Sequence, residues 1–188
     1  MMEETRSKLI AAGRKAFAEQ GFAGASMDDL TAAVGLTRGA LYHHFGDKRG
    51  LLAAIVAELD AEMATKAKAA AASAHDQWAA LEAEGIAYIE LALDPEVQRI
   101  VLLDGPAFLG DPSHWPSQNA CLAETCLALE KLAQNGRLQA VDIPAAARLL
   151  NGAALSAALW VAASSDPPQA LPGAVSAFRV MARGLLKT

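Results

Sequence analysis

The chain has 188 residues, of which 53% are hydrophobic and 20% charged, and its formal net charge is −5 at pH 7. The first 50 residues carry seven Lys and Arg against six Asp and Glu, a net of +1, whereas the other 138 carry nine against fifteen, a net of −6. This balance excludes a protein that coats nucleic acid over its whole surface, and it leaves a local basic contact near the N-terminus.

Helical periodicity dominates the sequence, and no segment alternates apolar and polar residues as a half-buried strand does, so we expect an all-α fold. No apolar run reaches 18 residues, and a membrane span is therefore not expected. Cys121 and Cys126 lie five residues apart, follow no secretory signal and point in different directions on a helix. Two reduced thiols in a cytoplasmic protein are the expected state, with a redox sensor as the alternative.

Residues 24–52 have the pattern of two short helices joined by a tight turn, followed at once by a third helix. Ser26 is a good N-cap for the first helix, and Gly35 ends it because glycine enters the left-handed conformation without steric cost. Thr37 can cap the second helix, which buries Leu41. Four residues remain on the outer face of that helix, where a helix-turn-helix reads the major groove: Arg38, Gly39, Tyr42 and His43.

This segment resembles the DNA-binding domain of the TetR family of bacterial transcriptional regulators. The similarity covers roughly residues 4–55 and rests on Phe17, on Gly21 and Phe22, on the helix-turn-helix and above all on LYHHFGDKRGLL. It implies a three-helix DNA-binding head at residues 1–50, joined to a helical ligand-binding and dimerisation bundle at 51–188, with about nine helices in all. It also implies a homodimeric repressor that is released from DNA by a small-molecule effector. Because one short helix reads few bases, a dimer in turn predicts a palindromic or pseudo-palindromic operator in double-stranded DNA.

Six residues are expected to contact DNA, from their chemistry and their match to the family motif: Thr37, Arg38, Gly39, Tyr42, His43 and Lys48. The Arg38 guanidinium suits a guanine edge, and Gly39 lets the backbone approach closely. Lys48 starts the next helix, where its charge and nearby N–H groups meet a phosphate. Packing for Tyr42 and a solvated surface charge for Arg38 are the alternatives. A metal site at His43 and His44 is not expected, because neighbouring helical side chains diverge.

The rest of the chain predicts further helices. One starts at Asp94-Pro95 and ends near Gly105-Pro106, and the last two span about 143–164 and 169–187. The last two carry the expected dimer interface, with an ordinary intrachain core as the alternative. Its candidate residues are Gly152, Ala153, Ser156, Ala157, Trp160, Phe178, Met181 and Leu185.

A pocket for a neutral or mildly polar hydrophobic molecule is expected among the aromatic residues of the bundle, although such residues also suit a core. Its candidates are Trp78, Tyr88, Phe108, His114, Trp115, Asn119 and Trp160. No catalytic triad, phosphate loop or metal-spaced cluster stands out, so neither an enzyme nor a cofactor is expected. An activator without an inducer and a helical partner-binding protein remain as alternatives to a repressor.

Overall fold

The computed structural model describes residues 2–187, and within that range the chain forms nine α-helices and no β-strand. The predicted all-α fold is therefore confirmed. The helices are α1 (Met2–Gly24), α2 (Met27–Ala33), α3 (Arg38–Phe45), α4 (Lys48–Ala71), α5 (Gln77–Glu90), α6 (Gly105–Leu109), α7 (Pro116–Gln134), α8 (Ile143–Ala163) and α9 (Pro167–Arg183). Short 3₁₀ turns lie at Leu91–Leu93 and Pro112–His114, and a wider π-helix spans Val97–Asp104.

Local capping explains where several of these helices begin. The Ser26 hydroxyl accepts the N–H of Asp29 at 3.2 Å, and the Thr37 hydroxyl accepts the N–H of Ala40, also at 3.2 Å. Each bond satisfies one of the N–H groups that a helix start leaves without a partner. The two predicted caps of the helix-turn-helix are thus confirmed.

The first helix changes direction at Gly21, where φ is +71° and ψ is 166°. Only glycine adopts this conformation readily, so the residue type at position 21 allows the change of direction. The space that a Cβ would occupy is also filled by the Arg99 guanidinium. Gly21 is therefore required both by its backbone angles and by the side chain packed against it.

The region after Asp94 differs from the sequence-based prediction. Instead of an α-helix ending near Gly105-Pro106, the chain forms the π-helix Val97–Asp104, and Gly105-Pro106 begins α6. A proline fits the first turn of a helix because its missing N–H would have no helical partner there. The π-helix does end at Asp104, as predicted for this pair, but the element is not an α-helix and the pair also begins α6.

The described chain clusters into two compact units. The first contains the described residues up to Asp60 together with Pro95–Pro112, and the second contains Ala61–Asp94 and the described residues from Ser113 onward. The expected DNA-binding head ends at residue 50. The first unit extends beyond it, because the π-helix packs on α1.

In the second unit, α8 packs against α5, α7 and α9, and α5 also packs against α9. Phe178 on α9 is buried, and its ring fills the space beside Gly85, where a Cβ would lie 2.5 Å from the ring. Phe178 therefore belongs to the core of this unit, which corrects its expected place in a dimer interface. Leu185 lies beyond the end of α9, so it does not continue the stripe of that helix.

By length and composition, α8 is apolar enough to cross a membrane, with a mean hydropathy of 1.3 over its best window. A single helix of this kind is weak evidence for a membrane span, since the core helices of globular bundles have the same composition. Here α8 packs on three neighbouring helices and buries Leu150, Ala154 and Ala158.

We predict that Gly21→Ala destabilises the chain more than Gly35→Ala. Gly35 also has a positive φ, of +66°, but nothing lies within 4 Å of the position of its Cβ. Gly35→Ala should cost about 1 kcal/mol from backbone conformation alone. Gly21→Ala should cost about 2–3 kcal/mol, because its backbone region is closed to alanine and Arg99 must move. Urea denaturation measures both, and equal losses would contradict the role of Arg99.

Candidate nucleic-acid interface

The second helix of the helix-turn-helix, α3, is held in place by its cap and its buried face. It packs on α1 and α2, and Leu41 is fully buried. The turn before it closes through the Leu36 N–H, which donates to the Thr31 carbonyl at 2.9 Å, and Gly35 supplies the positive φ. This packing leaves the opposite face of α3 open to solvent.

Arg38 and Tyr42 form a contacting pair on that open face. Arg38 Nη2 donates to the Tyr42 hydroxyl at 3.0 Å, and its guanidinium carbon lies 5.4 Å from the centre of the tyrosine ring. Arg38 Nη1 lies 3.4 Å from a carboxylate oxygen of Asp28. The bond to Tyr42, with the nearby charge of Asp28, raises the pKa of Arg38.

Gly39 is exposed, and its own chain does not require a glycine there. A Cβ at this position would meet only the Thr37 hydroxyl, at 3.7 Å, which is ordinary van der Waals contact. Its φ is not positive. No strain or crowding within the described chain therefore explains the absence of a side chain at this point of α3.

The two adjacent histidines lie in different environments. His43 is exposed, whereas His44 is half-buried, and their ring centres are 5.5 Å apart. His44 also lies 6.1 Å from the ring of Phe45. Among residues 2–187, no three His, Cys, Asp or Glu side chains come together in a way that could hold a metal ion.

Lys48 lies at the start of α4, as expected, but its ammonium is bound within the head. It donates to the Ala25 carbonyl at 2.6 Å and to the Ala23 carbonyl at 3.5 Å, and it lies 4.8 Å from the centre of the Phe22 ring. Burial lowers the pKa of Lys48, and the negative charge of Asp104 opposes that shift. In this conformation Lys48 joins α4 to the end of α1.

Asp104 contributes to the same region, and the sequence analysis did not identify it. Its carboxylate accepts the Phe22 N–H at 2.7 Å and lies 3.4 Å from Arg99 Nε. The Phe22 ring lies 5.6 Å from that of Phe17 and 4.3 Å from that of Phe108. Asp104 is 82 residues from Phe22, so no local pattern in the sequence could have revealed this contact.

The expected ligand-pocket residues are not all brought together. Phe108 belongs to the first unit, where α6 packs its ring against Phe22, and this corrects its expected place in the bundle. Trp78 is buried on α5, and its indole N–H has no hydrogen-bond partner among the described residues. Apart from Trp160, four further candidates lie in the second unit. Tyr88 and Trp115 are half-buried, whereas His114 and Asn119 are exposed.

The outer faces of α8 and α9 expose large apolar side chains. Trp160 is 57% exposed and Met181 is 67% exposed, and Leu149 and Val180 are more exposed still. Of the small candidate residues, Gly152 and Ser156 are exposed, and Ala153 and Ala157 are half-buried. Leu149, which is not among the sequence candidates, lies one helical turn before Gly152.

Both halves of the chain match known family models. Residues 9–55 match the model of bacterial regulatory proteins of the tetR family, and residues 78–185 match the tetracyclin repressor-like C-terminal domain. A solved TetR-family transcriptional regulator from Pectobacterium atrosepticum is 46% identical, with a TM-score of 0.91. That comparison covers 100% of this chain and 96% of the other.

Two curated relatives match over different lengths. The Tn10 TetC protein of Escherichia coli is 27% identical over 155 residues, 80% of this chain and 76% of that protein. The transcriptional repressor AcnR of Corynebacterium glutamicum is 43% identical over 60 residues, which is 32% of each chain. Since the C-terminal model alone covers more than half of the sequence, this chain belongs to the TetR family and is a DNA-binding transcriptional regulator, not an enzyme.

Proposed function

We propose that the chain is a homodimeric repressor that binds a palindromic operator and is released from it by a small, largely apolar ligand in the bacterial cytoplasm. The proposal rests above all on the open face of α3, where Arg38, Gly39 and Tyr42 stand on a helix whose other face is packed. Such a face is what a recognition helix presents to the major groove.

The Arg38–Tyr42 pair suits recognition of a base together with its backbone. Arg38 can offer two N–H donors to a guanine edge, and the Tyr42 hydroxyl and that of Thr37 suit phosphates, with His43 beside them. To reach a base, Arg38 must leave Asp28. Because both side chains of that ion pair are exposed, it is weak and the exchange costs little. Asp28 thus holds the guanidinium in the free protein without blocking the contact.

A selection from random DNA duplexes at about 150 mM salt, near physiological ionic strength, tests the proposal. The full-length protein should enrich a single palindrome. Arg38→Ala should relax the preference at one position in each half-site and cost about 1–3 kcal/mol per contact. Equal losses on the selected duplex and on random DNA would contradict a base contact by Arg38. Absence of any enrichment would favour the partner-binding alternative.

We predict that Gly39→Ala separates folding from DNA binding. Alanine should stabilise the chain slightly, by up to about 1 kcal/mol, because it favours helix more than glycine does and meets no clash here. Operator affinity should nevertheless fall at least about tenfold, because a methyl group would separate α3 from the DNA backbone. Thermal unfolding and a binding titration measure the two effects. Unchanged affinity would contradict close approach at Gly39.

Lys48 is proposed as a DNA contact in a narrower sense than the sequence suggested. Its ammonium is held by the carbonyls of Ala23 and Ala25, so its positive charge stays fixed near the N-terminus of α4. A helix N-terminus with such a charge suits a phosphate. The contact would be independent of base sequence and would weaken with salt.

A homodimer follows from the need to read two half-sites at fixed spacing, since one short helix reads few bases. The outer faces of α8 and α9 suit a second copy of the chain, because exposed apolar patches rimmed by polar residues mark interaction surfaces. Trp160 and Met181 supply the large side chains, and Gly152 and Ser156 allow close approach of helices. A two-fold axis would place the same surface of each copy together.

We predict that Met181→Glu weakens the dimer without unfolding the chain. A charge placed in an apolar interface is costly, so the dissociation constant should rise at least about tenfold. Leu127→Glu is the matched control, since Leu127 on α7 is 57% exposed and lies outside the α8 and α9 faces. Sedimentation at several concentrations measures both variants. A dimer weakened equally by the two substitutions would count against the proposed surface.

The effector is proposed to bind in the second unit, at residues drawn from Trp78, Tyr88, His114, Trp115 and Asn119. The unpaired indole N–H of buried Trp78 offers a donor to a polar atom of the ligand. Thermodynamic linkage requires the operator to weaken ligand binding by the factor by which the ligand weakens operator binding.

A further inference from the structure

We propose that Asp104, which lies outside the helix-turn-helix, is a positioning residue for DNA recognition: its carboxylate anchors the segment Phe22–Ala25 and thereby fixes the placement of α2 and α3. The inference uses the operator of the proposed function for one of its tests, and a second test is independent of DNA.

The break in α1 at Gly21 creates the need for this anchor. Because φ is +71° at Gly21, the chain leaves the helical path there, and the following N–H points to the Asp104 carboxylate instead. The 2.7 Å bond from Phe22 N is short for an N–H donor and involves a charged acceptor, which makes it stronger than a neutral bond. Asp104 thus fixes the backbone at the first residue after the break.

Asp104 is itself held firmly in place. It is only 7% exposed, and its carboxylate is paired with Arg99, whose guanidinium fills the space beside Gly21. A carboxylate buried to this extent is stable only with a cation and hydrogen-bond donors around it, and this one has both. The anchor is therefore a rigid acceptor on the last residue of the π-helix.

The far end of the segment is fixed by a second contact. The Ala25 carbonyl accepts the Lys48 ammonium at 2.6 Å, and the next residue, Ser26, caps α2. The Phe22 ring lies between those of Phe17 and Phe108. The residues from Phe22, just after the break in α1, to Ala25, just before the cap of α2, are therefore held at both ends, by Asp104 at the start and by Lys48 at the finish.

Loss of the first anchor should affect specific binding more than general binding. Base contacts need α3 in one orientation, whereas phosphate contacts tolerate small displacements of a positively charged surface. Without Asp104 the part-buried Phe22 N–H loses its charged acceptor, and the segment is no longer fixed at that point. The expected signature is a fall in the ratio of operator affinity to random-DNA affinity.

The test compares Asp104→Ala, Asp104→Asn and Glu96→Gln in the full chain. Asparagine keeps an oxygen that can accept the Phe22 N–H, whereas alanine does not. Glu96→Gln is the matched control, because Glu96 joins the same two segments through a bidentate pair with Arg14, at 2.8 and 2.9 Å, away from Phe22. Thermal unfolding of all three variants measures how much stability each substitution removes.

The first measurement is the dissociation constant for the selected duplex and for a scrambled duplex of equal length. Asp104→Ala should lose at least about tenfold in affinity for the selected duplex and less than about threefold for the scrambled one, since only base contacts depend on the orientation of α3. Asp104→Asn should restore most of the ratio, and Glu96→Gln should leave it unchanged. Equal losses on both duplexes, or the same loss of ratio in Glu96→Gln, would overturn the proposal.

The second measurement is amide hydrogen exchange without DNA. Peptides that cover Phe22 and α3 should exchange faster in Asp104→Ala than in Glu96→Gln at matched stability, while those of α8 remain unchanged. Unaltered exchange in α2 and α3 would overturn the proposal. If the unsubstituted chain did not discriminate the two duplexes, the proposed operator function would fail, and the exchange result would still decide the role of Asp104.

Discussion

The hydrogen bond from the Phe22 N–H to the buried Asp104 carboxylate is the contact on which the DNA-binding head depends. It satisfies the donor released where α1 breaks at Gly21, and it joins the end of α1 to a segment 82 residues away. Arg99 neutralises the carboxylate and at the same time occupies the space that excludes any side chain at Gly21. A backbone break, a buried charge and a required glycine are thus parts of one arrangement.

The exposed face of α3, which is proposed to read DNA, is organised by the opposite principle, since its polar groups are open to solvent and weakly held. Arg38 rests on Tyr42 and near Asp28, and both contacts are open to solvent. Exposed ion pairs of this kind contribute little to stability, so they orient a side chain but break easily when it binds another partner. Rigid anchoring behind the helix and exchangeable contacts in front of it together suit a surface that must meet DNA in one geometry.

The features that the sequence predicted are those determined by neighbouring residues. Ser26 and Thr37 cap their helices, and Gly35 ends α2, because hydroxyl caps and left-handed glycines act within three or four positions. The partner of Phe22 could not be predicted, because Asp104 carries no local signal. Phe178 and Met181 lie three positions apart on α9, but only the structure, with the gap at Gly85, decides that the first packs inward.

The extent of the first unit bears on how a ligand in the second could affect DNA binding. The chain passes between the two units at residues 60–61, 94–95 and 112–113, so Pro95–Pro112 is connected to the second unit at both ends. Couplings between sites are typically about 1–3 kcal/mol. A hydrogen bond to a charged group is worth about 1.5–3 kcal/mol. The free energy of the bond between Asp104 and Phe22 is therefore as large as a typical coupling between two sites. A ligand that weakened this bond alone would suffice to regulate DNA binding through the placement of α3, without a larger rearrangement of the head.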